Sequence, residues 1–126
     1  MKNHETQNAP GRMFITGATS GFGEAVARMA AKAGYALALT GRRADRLEAL
    51  QAELGDAVRH VLCFDVRDRE GTAEAIQRCS ADFIPTVLVN NAGLAVGREP
   101  IDQGVYDDWD RMIDTNVKGL LNVTRE

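Results

Sequence analysis

The chain is 126 residues long, 44% hydrophobic, 26% charged and only 6% aromatic, the profile of one soluble globular domain that can bury a core without staples. Its 15 basic and 18 acidic side chains leave a formal net charge of -3, which supplies no global positive field and argues against nucleic acid as a partner. Two cysteines, Cys63 and Cys79, and two histidines, His4 and His60, cannot build a four-ligand zinc site at recognisable spacing, so no metal is expected.

Both thiols fall in apolar-patterned segments and read as small core side chains in a reducing compartment. No apolar run approaches the ~20 residues that span a bilayer, and residues 1–10 contain no hydrophobic stretch of signal-peptide type. The expectation is a cytoplasmic protein without a membrane partner, with a polar tail over residues 1–11 and one folded domain over 12–126.

From residue 12 onward, short apolar runs alternate with stretches of helical period, the signature of a parallel sheet covered by helices. Residues 13–16 predict a short strand feeding a turn of Gly, Ala, Thr and Ser. Over residues 21–33 the larger side chains Phe22, Val26 and Met29 recur at i, i+4 and i+7 among alanines, predicting an amphipathic helix that approaches a sheet closely, ended by Gly34. Residues 35–40 are continuously apolar, as a strand covered on both faces should be.

Residues 43–54 return to helical period, with Leu47, Leu50 and Leu54 on one face and Gly55 as the stop. A third strand is predicted over 58–64, a third helix over 68–81, and a fourth strand over 86–89, cut short by Asn90-Asn91-Ala92-Gly93. After a loop holding Gly97, Pro100 and Gly104, residues 106–126 carry Trp109, Ile113, Val117, Leu120 and Leu121 and predict one or two further helices. The chain stops inside that pattern. The order implies an α/β, Rossmann-type, doubly wound parallel sheet of about four strands with helices on both faces, incomplete as it stands.

The chemistry is concentrated at the ends of the predicted strands. Thr16-Gly17-Ala18-Thr19-Ser20-Gly21-Phe22-Gly23 follows the first strand and opens the first helix. Glycine there permits a tight turn and close approach of backbone to a ligand, and the helix N-terminus attracts a phosphate. Thr19 and Ser20 add hydroxyls that either cap the helix or bond the ligand. Glu24, not Lys, follows Gly23, which excludes a Walker-type triphosphate loop.

An NAD-selective fold carries a carboxylate about 20 residues beyond the glycine loop. Here the second strand ends in Thr40-Gly41-Arg42-Arg43. Two guanidinium groups suit the 2′-phosphate of NADP and make NAD the less favoured cofactor; the plainer alternative is a pair of solvated charges at a helix start. Asp65-Val66 ends the third strand, where the carboxylate and adjacent backbone either read an adenine edge or simply shape a turn or helix cap. Asn90, Asn91, Ala92 and Gly93 occupy the same edge, and on residue chemistry alone their role is to satisfy buried backbone groups.

Together these residues resemble the short-chain dehydrogenase/reductase family in its classical subtype. The Thr-Gly-x-x-x-Gly-x-Gly loop, the Asp-Val pair, the Asn-Asn-Ala-Gly turn and Asn116 fall in family order and at family-like spacing. Within the family the chain is most similar to bacterial NADP-dependent serine and 3-hydroxy-acid dehydrogenases, through residues 17–24, 40–43, 91–100 and 108–116.

The resemblance implies that Gly17, Thr19, Ser20, Gly21, Phe22 and Gly23 cradle a pyrophosphate, that Arg42 and Arg43 hold the 2′-phosphate, and that Asp65 and Val66 read adenine. By the same resemblance the turn of Asn90, Asn91, Ala92 and Gly93 supports the fourth strand and flanks the cofactor. Asn116 becomes the catalytic asparagine whose backbone carbonyl holds a water in a proton relay, and the protein becomes a homo-oligomer, a tetramer by resemblance, acting on a small-molecule hydroxy acid.

One departure is large. The family's reaction needs a Ser, and a Tyr followed four residues on by a Lys, because a tyrosine titrating near 10 exchanges protons poorly at neutral pH without a cationic neighbour. Tyr35 is followed at that spacing by Leu39 and Tyr106 by Asp110. The expectation is therefore an N-terminal half that holds the cofactor site and is inactive alone, with a non-catalytic NADP-binding module as the alternative.

Overall fold

Alternating apolar residues on short strands have two faces to bury, and the computed structural model, which describes residues 10–126, buries both. The strands are β1 (Arg12–Ile15), β2 (Ala36–Gly41), β3 (Val58–Cys63) and β4 (Val87–Val89), in the order β3-β2-β1-β4. All pairs are parallel, with Phe14 aligned to Ala38 on one side and to Leu88 on the other. The architecture is the expected Rossmann-type sheet flanked by helices. Of the tail expected over 1–11, residues 1–9 lie outside the described residues.

Met13, Ile15, Leu37 and Leu39 form one face of the core with Ala27 and Ala30 of α1 (Gly21–Lys32) and Leu47 and Leu50 of α2 (Ala44–Leu54). Phe14, Ala38 and Leu62 form the other face with Ala75 and Cys79 of α3 (Arg69–Ser80) and Val123 of α5 (Leu120–Arg125). Strand β2 is buried throughout from Leu37 to Gly41, which accounts for its unbroken apolar sequence. Asp68 caps α3 by accepting from the Gly71 N–H at 3.0 Å. Arg28 of α1 binds both Glu24 and Glu53, tying α1 to α2 across their solvent side.

One expectation from the sequence is borne out and one is corrected. In α1, Phe22 and Met29 are 84% and 71% exposed, while the small residues Gly23, Ala27 and Ala30 face the sheet, with Val26 packed beside them. Small side chains let the helix lie close to the strands. Cys63 is not a core residue. It is exposed at the carboxyl end of β3, where its thiol lies 3.6 Å from the Arg42 carbonyl; Cys79 alone of the two is buried.

The C-terminal pattern forms one continuous helical run: α4 (Tyr106–Ile113), a wider π-helical stretch (Asp114–Gly119), then α5. Helical period alone does not distinguish this insertion from α-helix. Gly119 lets the run lie against the end of β3, since a Cβ there would come 2.5 Å from Val66 Cγ2. Ile113, Val117 and Leu121 stay largely exposed along the run. Among the described residues no helix is long and apolar enough to cross a membrane.

The orientation of α1 gives a direct test. Ala27→Leu should destabilise the protein by about 1–3 kcal/mol through overpacking, whereas Met29→Gln should stay within about 0.5 kcal/mol of the parent. Urea unfolding midpoints measure both, and the reverse ranking would overturn this orientation of α1.

Candidate functional site

The strand order reverses between β1 and β4: from β1 the chain winds outward through β2 and β3, then returns to the other side of β1. At such a switch point the loops leaving neighbouring strands part in opposite directions and open a cleft beyond the carboxyl ends. In this chain the cleft is bounded by the loops after β1, β2, β3 and β4, all of which contribute lining residues.

The turn after β1 is built by backbone approaching backbone. Gly17 has φ +63°, and a Cβ on it would lie 2.9 Å from the Ala92 Cα. Gly23, on the first turn of α1, has no room for a Cβ against the Gly17 carbonyl and the Asn91 side chain. Gly21, at φ +47°, faces open space. The Gly23 N–H donates to the Ser20 carbonyl at 3.1 Å, whereas the Gly21 and Phe22 N–H groups at the start of α1 have no helical acceptors, and the Ser20 side chain makes no capping bond to them.

Thr16 and Asn91 lock this turn to β4. The buried Thr16 hydroxyl accepts from the backbone N–H of Asn91 at 3.0 Å and of Ala92 at 2.9 Å. The Asn91 side-chain amide in turn donates to the Gly17 carbonyl at 3.0 Å. Sequence reasoning placed Thr16 in the motif but not among the site residues; its signal is a hydroxyl at a strand end facing an Asn-Asn turn.

Gly17, Thr19 and Ser20 line the cleft from β1, Arg42 and Arg43 from β2, Asp65 and Val66 from β3, and Asn91, Ala92 and Gly93 from β4. Thr40, Gly41, Phe64 and Thr115 line it as well, outside the residues singled out from sequence. Gly21, Phe22, Gly23, Asn90 and Asn116 do not. Asn90 turns away and donates to the Thr124 hydroxyl of α5 at 3.0 Å. Asn116 sits in the π-helical stretch, where its side chain accepts from the Leu94 N–H and donates to the Leu94 carbonyl, both at 2.8 Å.

The charge in the cleft is arranged around one carboxylate. Asp65 accepts from the Arg67 backbone N–H and guanidinium, and Arg42 lies 4.0 Å from the same carboxylate. Hydrogen bonding from the Arg67 side chain holds the Asp65 carboxyl below its ordinary range, with partial burial opposing. The bond to the Arg67 N–H is a turn geometry, so the turn alternative for Asp65 is realised, while Asp68 does the capping. Arg67 was missed from sequence because its role depends on folding back two residues within its own turn.

A family model described as short chain dehydrogenase matches residues 12–126. Serine 3-dehydrogenase of Agrobacterium fabrum is 51% identical over 115 residues, covering 90% of this chain and 46% of that protein. NADP-dependent 3-hydroxy acid dehydrogenase YdfG of Escherichia coli is 44% identical over 114 residues, again covering 90% of this chain and 46% of the relative. A solved structure described as the closed form of serine dehydrogenase complexed with NADP+ superposes with a TM-score of 0.78 at 43% identity, over 90% of this chain and 46% of that one. The chain thus spans about half the length of the curated relatives it matches.

Two measurements probe the site's construction. Thr16→Val strands the half-buried Ala92 N–H and leaves the Asn91 N–H only the Val89 carbonyl at 3.1 Å, and should cost about 1–3 kcal/mol, with Thr16→Ser much milder. Asp65 has a folded-state pKa below its unfolded value, so its stabilising contribution is present above the unfolded pKa and is lost as pH falls through the folded one. The stability gap between the parent and Asp65→Asn should therefore be open at neutral pH and close as pH drops below about 4. A gap that widens on acidification would contradict this assignment.

Proposed function

The chain belongs to the short chain dehydrogenase family, and on that premise we propose that it forms the nucleotide-binding half of an NADP-dependent oxidoreductase. That enzyme passes a hydride between the nicotinamide and a small hydroxy acid, serine or a 3-hydroxy acid, or its carbonyl partner. The observation that carries the reading is the pair Arg42 and Arg43 at the mouth of a glycine-lined cleft, at the strand end where an NAD-selective fold keeps a carboxylate.

The residues fit a dinucleotide. Gly17 lines the cleft without a side chain, so a ligand there meets bare backbone. The unpaired N–H groups at the start of α1 suit a pyrophosphate. Arg42 and Arg43 supply the fork-shaped donors that suit a 2′-phosphate. Asp65 and Val66 border the adenine end, and Asn91, Ala92 and Gly93 form the wall beside β1. NADP, when bound, supplies the hydride donor or acceptor.

Asn116 enters the reading through its main chain. Its side-chain amide is committed on both sides to Leu94, which leaves the backbone carbonyl as the group for the family's proton relay. The general acid/base is a different matter. Neither Tyr35 nor Tyr106 has a Lys four residues on, so neither supplies the Tyr and Lys pair that the family's proton transfer uses. The 126-residue chain alone binds cofactor and does not turn over.

The same reading makes the protein a cytoplasmic homotetramer. The exposed apolar side chains Ile113, Val117 and Leu121 on the C-terminal helical run support an assembly surface there.

Fluorescence titration should show at least about tenfold tighter binding of NADPH than NADH, a difference of about 1.4 kcal/mol. Arg42→Ala with Arg43→Ala should remove that preference. A preference for NADH would overturn the cofactor assignment, and turnover of serine or 3-hydroxypropionate by the 126-residue chain would overturn its inactivity.

A further inference from the structure

Asp65 is a carboxylate placed among the cations that the proposed function reserves for a phosphate, and a free carboxylate there would compete with that phosphate for Arg42. Arg67 prevents the competition geometrically. Its backbone N–H donates to Asp65 Oδ1 at 3.0 Å, its Nε lies 3.1 Å from both oxygens, and its Nη2 donates to Oδ2 at 2.7 Å. Both oxygens are thereby engaged on the side of β3. Arg42 Nη1 stands 4.0 Å from Oδ2, beyond hydrogen-bond distance.

The two arginines also differ in exposure. Arg67 is 35% exposed at its side chain, and Arg42 is 54% exposed. Arg67 also lies in the field of Asp114 and Asp107 from the C-terminal helical run, so its charge is balanced from two directions. Arg42 has one acidic neighbour within ion-pair range among the described residues, and that neighbour is already held.

We infer that Arg67 is a specificity-determining positioning residue: by sequestering Asp65 it keeps the Arg42 guanidinium free for the 2′-phosphate, without touching the phosphate itself. The inference rests on the NADP reading above and deepens it. Remove the Arg67 side chain, and the Asp65 carboxylate keeps only the backbone N–H at position 67, with Arg42 the one remaining cation within ion-pair range among the described residues. A rotamer change of the exposed Arg42 side chain closes the remaining gap, and the resulting ion pair neutralises one of the two cations facing the ligand. Depressed protonation of Asp65 under the influence of Arg67 agrees with a carboxylate that stays charged throughout.

The test uses two probes that differ only by the phosphate in question, adenosine 2′,5′-bisphosphate and 5′-AMP, titrated calorimetrically into the 126-residue chain. Their affinity ratio cancels any change at adenine or at the 5′-phosphate. Arg67→Ala should lower the parent's preference for the bisphosphate about fivefold to tenfold, in line with loss of a charge-assisted contact. Arg67→Gln, which keeps most of the side-chain bulk, should behave the same way and guards against a folding defect in the smaller variant.

The deciding variant is Arg67→Ala combined with Asp65→Asn. With the competing charge gone, the preference should return to within about twofold of the parent. An unchanged ratio in both single variants would overturn the inference, and so would a loss that Asp65→Asn fails to rescue, because Arg67 would then act on the phosphate directly. A parent chain with no preference for the bisphosphate would instead overturn the NADP reading, a result distinguishable from either.

Discussion

The cleft depends on a close crossing of backbone at the ends of β1 and β4. Gly17 and Gly23 bring three stretches of main chain together where a single methyl group would force them apart. Such an approach buries polar backbone groups that no strand or helix satisfies. Thr16 and Asn91 satisfy them: one hydroxyl takes two N–H groups and one amide supplies a carbonyl with its donor. Both side chains are short and already at strand ends, so these bonds fix where the backbone after β1 meets the turn after β4, and with it the start of α1.

The same strand ends carry the charge of the cleft. The net charge of -3 says nothing of the local field, which is set by Arg42, Arg43 and Arg67 around Asp65 at adjacent strand ends. In a parallel sheet the carboxyl ends of neighbouring strands converge on one edge, so residues about 23 positions apart become neighbours without any long-range design of the loops. An acidic protein thus presents a cationic mouth at one edge and a solvated mixture of charges elsewhere.

Much of the fold and of the cleft was legible in the sequence, for reasons particular residues make clear. Strand β2 announced itself because both its faces are covered, and the glycine turn because its spacing follows a strand and opens a helix. What escaped is what depends on distance in space. Cys63 looked like core because Val61 and Leu62 precede it, yet it stands where the strand leaves the sheet. Thr16 and Arg67 are ordinary residues in sequence, and their roles exist only through the groups folding brings to them.

The C-terminal helical run is the piece whose contribution sequence pattern understates most. Asn122 donates to the Val66 carbonyl at 2.9 Å, Gly119 lets that helix touch the Val66 side chain, Asn116 clamps Leu94 on both backbone groups, and Thr124 receives Asn90. A regular α-helix repeats every 3.6 residues and would not hold all these contacts in register; the π-helical stretch over Asp114–Gly119 inserts the extra rotation between α4 and α5. The loops after β3 and β4 are therefore both fastened to one helical run. The turn carrying Asp65 and Val66 and the segment around Leu94 are held by neighbouring residues of that run, so its register sets the placement of both sides of the cleft.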